Sequence, residues 1–211
     1  MKAQLIRTGL FALAATAFAA PQVHAQQLGA CGSLQNHFGP YDYRTAPPDR
    51  RKIVEDYHFT PQVEHLRKGQ SSSSVGADLS YTLRAFPNHP RALNAMANLA
   101  RREKTEKPKG SEFTLDCWFQ RALAFAPDDP NVLGVYGVQL LRDDKPKEAL
   151  KHLHKAEAKA PNGNLYYNIG LAYFELKEYG KAREYARKAY AQGFNLPGLK
   201  EKLQRVGQWQ E

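Results

Sequence analysis

Glycine, alanine and aromatic positions in the second half of the chain recur at one fixed distance. Gly137 and Gly170 stand 33 residues apart, as do Ala149 and Ala182, and Ala156 and Ala189. Around them, Leu133, Tyr136, Gly137 and Leu140 are spaced as Tyr166, Ile169, Gly170 and Tyr173 are. Steps of three and four residues put each set on one helical face. Self-similarity at such a period marks a stacked array, because a two-helix unit cannot bury its apolar face alone and its neighbours must cover it. The chain has 211 residues, 42% hydrophobic and 24% charged, and needs no second domain: one core or one solenoid is enough.

The pattern resembles the tetratricopeptide-repeat family, whose signature runs W-x2-L-G-x2-Y, then A-x3-F, then P over about 34 residues. Tyr166-x2-Ile169-Gly170-x2-Tyr173 takes the first block, with Ala182-x3-Ala186 and Ala189 after it. Leu133-x2-Tyr136-Gly137-x2-Leu140 repeats it, followed by Ala149-x3-Leu153, Ala156 and Pro161. A degraded copy precedes these: Leu93-x2-Met96-Ala97-x2-Ala100, then Leu115-x3-Phe119, Ala122 and Pro127. Ala97 lies 40 residues before Gly137, so about six residues are inserted relative to the family period. Lys104 to Gly110 is the inserted loop. Pro87-Asn88-His89-Pro90 and Pro127-Asp128-Asp129-Pro130 mark the same 40-residue register, each closing one helix and opening the next.

The resemblance implies an all-α fold: a tetratricopeptide-type α-solenoid of about four helix pairs, with a C-terminal capping helix and an irregular N-terminal segment. The expected divisions are a signal peptide at 1–25, the irregular segment at 26–59, and a helix pair at 60–89. The degraded repeat with its loop takes 90–129, two repeats take 130–162 and 163–196, and the cap takes 197–211. Within the first pair, Thr60-Pro61 starts a helix that runs to Lys68 and stops at Gly69, and Ala77 to Phe86 is the second helix. Pro197 opens the cap through Leu199, Leu203 and Val206. The aromatics of the segment before Tyr57 argue against full disorder, and it is expected to lie along the first helices.

The N-terminus reads as an export signal. Lys2 and Arg7 precede a small apolar run from Thr8 to Ala20, too short to span a bilayer. Val23-His24-Ala25 then supplies a cleavage site before Gln26. Leu28-Gly29-Ala30-Cys31 also resembles a lipoprotein site, but the polar stretch Pro21 to Gln27 separates the cysteine from the apolar run. Cys31 and Cys117 are the chain's two cysteines. They form either one disulfide or two buried thiols, and an exported chain favours the disulfide. The expected location is the periplasm of a Gram-negative-type bacterium, with no transmembrane segment in the mature chain.

Catalytic and metal signatures are lacking: there is no G-x-S-x-G, phosphate-binding loop or H-E-x-x-H. Ser71 to Ser74 is a serine run without a partnered base, which reads as a connector. His152 and His154 point in different directions on a helix, and Pro61 breaks the register between His58 and His65. No enzyme activity, metal or cofactor is therefore expected. Lys and Arg outnumber Asp and Glu by 30 to 21, and Arg101, Arg102, Lys104, Lys107 and Lys109 form the densest basic cluster. Glu103 and Glu106 interrupt it, so it reads as a solvated helix end rather than a nucleic-acid site.

The family's first helices line a groove that holds a protein or an extended peptide. Carried over by motif position, that groove holds Arg91, Asn94, Asn98 and Arg101, then Asn131, Gly134, Val138 and Leu141, then Asn164, Tyr167, Leu171 and Phe174. Asn and Arg suit a peptide backbone and acidic side chains, while Tyr and Phe suit anchors. Leu171 and Phe174 have a second reading, as packing on a neighbouring helix. Three functions follow: a protein-binding scaffold or assembly module for an envelope complex, a lipid-anchored protein acting at the membrane, or an enzyme with its site between Cys31 and Ser74.

Overall fold

The computed structural model describes residues 28–209. The signal-like segment, its Ala25 cleavage site and Gln26 lie outside the described residues. After a short turn of 3-10 helix at Gly29–Cys31, ten α-helices follow among the described residues. They are α1 (Pro48–His58), α2 (Pro61–Glu64), α3 (Val75–Ala85), α4 (Pro90–Glu103), α5 (Leu115–Phe125), α6 (Pro130–Arg142), α7 (Pro146–Glu157), α8 (Gly163–Glu175), α9 (Tyr179–Ala191) and α10 (Gly198–Arg205).

The helix starts follow from local chemistry. Thr114, Asp129 and Asn162 each accept a hydrogen bond from a backbone N–H in the first turn of the helix they precede. Pro48, Pro61, Pro90, Pro130 and Pro146 occupy first helical positions, where the missing N–H costs nothing. The first helices of the three repeats end in a device the motif does not reveal. Lys104, Asp144 and Lys177 follow α4, α6 and α8 in the left-handed conformation, at φ of 51, 56 and 61°. Each turns the chain into its second helix.

Glycine sets the packing distance inside the two regular repeats. A Cβ on Gly137 would lie 2.6 Å from Leu153 of α7, and one on Gly170 would lie 2.6 Å from Leu199 of α10 and 3.3 Å from the Ala182 carbonyl of α9. With no side chain at these crossings, α6 closes on α7 and α8 closes on α9. The core is accordingly a succession of clusters, each shared with its neighbours. Leu79, Leu93, Met96, Trp118 and Phe119 fill the first, Leu133, Leu153 and Ile169 the second, and Ala182, Ala186, Leu199 and Leu203 the third.

The N-terminal part differs from expectation in two places. Residues 48–58, within the segment read as irregular, form α1, because Pro48 sits at the first helical position and Asp49 lies in the positive first turn. It is α1 that packs on α3. The helix expected to run from Thr60 to Lys68 is only α2: Leu66 turns left-handed at φ 59°, and the chain peels away to the Asp78 carboxylate. That buried carboxylate accepts from the Gln70 and Ser72 backbone N–H groups and holds the His58 ring at 2.8 Å, so the serine connector is wrapped around it.

The segment before α1 lies along the first helices and is fastened to them. Cys31 and Cys117 form a disulfide that ties it to α5. Arg121, 1% exposed, donates to the Cys31 and Ser33 carbonyls at 2.8 and 2.7 Å, with its guanidinium 4.6 Å from the Phe113 ring centre. Buried Asn88 donates to Asp42 and to Asp129 at 2.8 and 2.9 Å and accepts from the Tyr43 N–H, which joins the segment to both helix corners of the degraded repeat. Arg44 holds the Asp42 carboxyl well below its usual range.

Candidate functional site

The first helices of three successive repeats, α4, α6 and α8, enclose a hollow of about 500 Å³. It brings together Arg91 and Asn94 from α4, Asn131, Gly134 and Val138 from α6, and Asn164 and Tyr167 from α8. Six of these seven share a side because they take corresponding positions on successive helices: Arg91, Asn131 and Asn164 stand six residues before Ala97, Gly137 and Gly170, and Asn94, Gly134 and Tyr167 stand three before them. The remaining expected groove residues are elsewhere. Asn98 lies a turn beyond the hollow and accepts from Arg101 at 3.3 Å, and Arg101 faces a second hollow. Leu141 packs on the Leu133 cluster, while Leu171 and Phe174 pack on the cluster of Leu199 and Leu203. For the last two, packing on a neighbouring helix is the reading the structure takes.

The free hydrogen-bonding capacity of the hollow is unevenly spread. The Asn94 and Asn131 amides are exposed and have no side-chain hydrogen bond among the described residues. Asn164 is engaged by Asn168, whose amide donates to its carbonyl and side chain at 2.9 and 2.6 Å. Arg91 is fixed on the rim by a two-point ion pair with Glu64 and by the Phe59 ring at 5.4 Å. That pairing raises the Arg91 pKa and lowers that of Glu64. Tyr167 is 9% exposed, with its ring 5.2 Å from Phe194.

Several lining residues escaped the motif reading, among them Asn168, Arg142, Phe194 and Leu196. Asn168 was accessible to it, since it stands one helical turn beyond Asn164. Arg142 had no motif position. Phe194 and Leu196 lie after α9 and reach the hollow only through the fold.

Other candidate chemistry is absorbed by structure. The Ser71 hydroxyl donates to the Tyr57 carbonyl and the Ser74 hydroxyl to the Lys109 carbonyl. His58 and Asp78 make an imidazole–carboxylate pair stacked against Tyr81, but no serine hydroxyl bonds to that imidazole among the described residues. No described helix is long and apolar enough to cross a membrane.

No family model matches the chain. A stretch of 99 residues, 46% of the chain, is 30% identical to protein O-mannosyl-transferase TMTC3 of Mus musculus. The solved structure of pilF from Pseudomonas aeruginosa superposes with a TM-score of 0.52 at 22% identity, covering 74% of this chain and 66% of that one. The chain thus spans 10% of the length of the mouse relative and just under two thirds of the bacterial one. Helix pairs at a 33-residue period, glycines at their crossings and this shared architecture give the chain an all-α solenoid fold whose repeats resemble tetratricopeptide repeats.

Proposed function

We propose that the chain is a non-catalytic scaffold that holds a protein partner, or an extended peptide of one, in the hollow between α4, α6 and α8. The observation that carries this reading is the pair of exposed, unpartnered amides, Asn94 and Asn131, on successive repeats beside an apolar wall of Val138, Leu165 and Phe194. An extended backbone offers alternating N–H and C=O groups that such amides bond, and an apolar side chain of the peptide takes the wall. Arg142 on the rim, which makes no ion pair among the described residues, favours an acidic partner.

The periplasm is the proposed setting. The signal-like pattern of residues 1–25 supports export, and a disulfide suits an oxidising compartment. The disulfide engages the Cys31 sulfur, which counts against the lipid-anchored alternative, since acylation needs that thiol. The mass of the mature N-terminus separates the two: Gln26 for the scaffold, an acylated Cys31 for the anchor. The transferase in the mouse protein's name belongs to a chain ten times the matched share, and it carries no assignment here.

Photo-crosslinking tests the hollow. A crosslinking residue at Asn131 should trap one protein from periplasm, and Asn94→Ala should reduce that product. The same residue at exposed Lys188, on the second helix α9 and outside the hollow, should not trap it. Equal capture from Lys188, or none from Asn131, overturns the reading.

A further inference from the structure

The insertion in the first repeat is a construction element rather than decay. Residues 104–114 connect α4 to α5, where three residues suffice in each of the next two repeats. The longer connection is ordered: Lys109 N–H donates to Glu103 at 2.8 Å, and Leu115 N–H donates to the Glu106 carbonyl at 2.8 Å. In consequence α4 and α5 touch far less than α6 and α7 or α8 and α9 do. The gap is a hollow of about 750 Å³ between the C-terminal half of α4, the start of α5 and the C-terminal half of α6. Its volume falls within the range of small-molecule sites, roughly 300–1,000 Å³.

The floor of the hollow is apolar: Ala97, Ala100, Leu115, Phe119 and Leu140, with the Tyr136 ring 4.9 Å from that of Phe119. The rim carries four cations, Arg101, Lys104, Arg142 and Lys145. None of them makes an ion pair among the described residues, whereas exposed Lys52, Lys181 and Lys188 each find a carboxylate on their own helix or the turn before it. Burial lowers the Arg142 pKa, and the charge of Arg101 lowers it further. Glu106, Asp116 and Asp143 also line the rim. Asp116 takes an amide from Gln120 and Asp143 one from Gln139, and the Asp143 charge offsets part of the lowering of Arg142 without forming an ion pair. Three carboxylates disfavour a polyanion such as nucleic acid, while the unpaired cations call for one compact anionic head.

We infer that this hollow binds a small amphiphilic anion, its apolar body on the floor and its carboxylate or phosphate head between the Arg101 and Arg142 guanidiniums and the two lysines. Planar guanidiniums match either head in two-point contacts. The site lies toward the C-terminal ends of α4 and α6 and shares only Arg142 with the rim of the Asn94–Asn131 hollow, so its test rests on Arg101 and Lys145, which line this hollow alone.

Calorimetric titration of the purified mature chain with octanoate and octyl phosphate, below their micellar concentrations, tests it. Both should bind with Kd below about 1 mM, inorganic phosphate at least about tenfold more weakly, and octyltrimethylammonium not at all. Arg101→Glu combined with Lys145→Glu should weaken octyl phosphate at least about tenfold, and Asn131→Ala should leave it unchanged. Gln139→Trp, which fills the mouth, should also abolish binding and serves if charge reversal disturbs folding. Phosphatidylglycerol vesicles separate the sources: co-sedimentation lost in the double variant assigns a membrane lipid, and octyl phosphate binding without co-sedimentation assigns a free amphiphile. No binding of either amphiphile, inorganic phosphate as tight as octyl phosphate, or undiminished binding in both variants overturns the inference.

Discussion

The hydroxyl of Tyr167 accepts a 3.1 Å hydrogen bond from the backbone N–H of Leu199 in the first turn of α10. A residue whose motif position suggests a binding anchor is thereby also the fastening of the last helix. Tyr167→Phe keeps the ring against Phe194 and removes only the acceptor. With the Leu199 N–H left buried and unpaired, it should cost about 1–3 kcal/mol. A lower melting temperature with faster amide exchange across residues 199–203 is the expected result. Tyr167→Ala should lose ring packing as well, so its effect on partner binding is read only beside the Phe variant.

The two crossing glycines should respond differently to a methyl group. A Cβ at Gly137 meets both Cγ and Cδ2 of Leu153 at 2.6 Å, so the whole leucine must move. At Gly170 the nearest atom is Cδ2 of Leu199, the far end of a flexible side chain. Gly137→Ala should therefore destabilise by about 1–2 kcal/mol and Gly170→Ala by less, since only a side-chain end must shift there, while the helix-propensity gain of about 1 kcal/mol is common to both. Gly170→Leu should cost about 1–3 kcal/mol. Urea denaturation of the three variants checks the order.

Reducing the disulfide should loosen the arm. The bridge closes a separation of 86 residues, for which the chain-entropy model gives up to about 4–5 kcal/mol. Urea midpoints should fall with reductant, and the Cys31→Ser, Cys117→Ser double variant should match the reduced protein. Thiol labelling of the denatured, unreduced chain should detect no free cysteine.

Stability should fall on mild acidification. His89 is fully buried, stacked 3.9 Å from Tyr43 and edge-on to Phe59, and burial holds its pKa below the ordinary value against the pull of Glu55 and Glu64. Burial, then Lys155, lowers His152 in the same sense. Above pH about 6.5 both histidines are neutral in either state, and their contribution is complete. Below it the unfolded chain takes up protons that the folded chain resists, and stability is lost at up to about 1.4 kcal/mol per pH unit for His89. His89→Asn preserves a helix cap and removes one titration, so it should flatten the fall of melting temperature between about pH 6.5 and 5.

The left-handed turn residues should be improvable. Lys177 has φ 61°, lies exposed, and its backbone N–H bonds the Phe174 carbonyl. Glycine adopts that conformation without the Cβ clash, so Lys177→Gly should stabilise by about 0.5–1 kcal/mol. An unchanged or lower urea midpoint counts against strain at this turn.

The repeat register, the glycine crossings and the helix starts at Pro90 and Pro130 were legible because they are local or periodic. Spacing states which face of each helix is apolar, and a cap needs only its own first turn. The pairing of Cys31 with Cys117 rested on a count of two, which leaves a single internal partner. Seven expected groove residues, Arg91 to Tyr167, shared one hollow for the same reason: their order along repeated helices fixes their side of the solenoid.

What covers each apolar face was decided only by the tertiary structure. Leu171 and Phe174 have the spacing of groove residues, yet α10 folds back on their cluster, and Lys202 of α10 lies 5.1 Å from the Phe174 ring centre. α1 pairs with α3 because the Leu66 turn removes the helix expected beside it. The inserted loop was visible as extra length, but the hollow it opens beside Arg101 and Lys145 was not. Periodicity records the preference of a side chain for burial, whereas the identity of its neighbour depends on contacts between residues far apart in the chain, which no local pattern encodes.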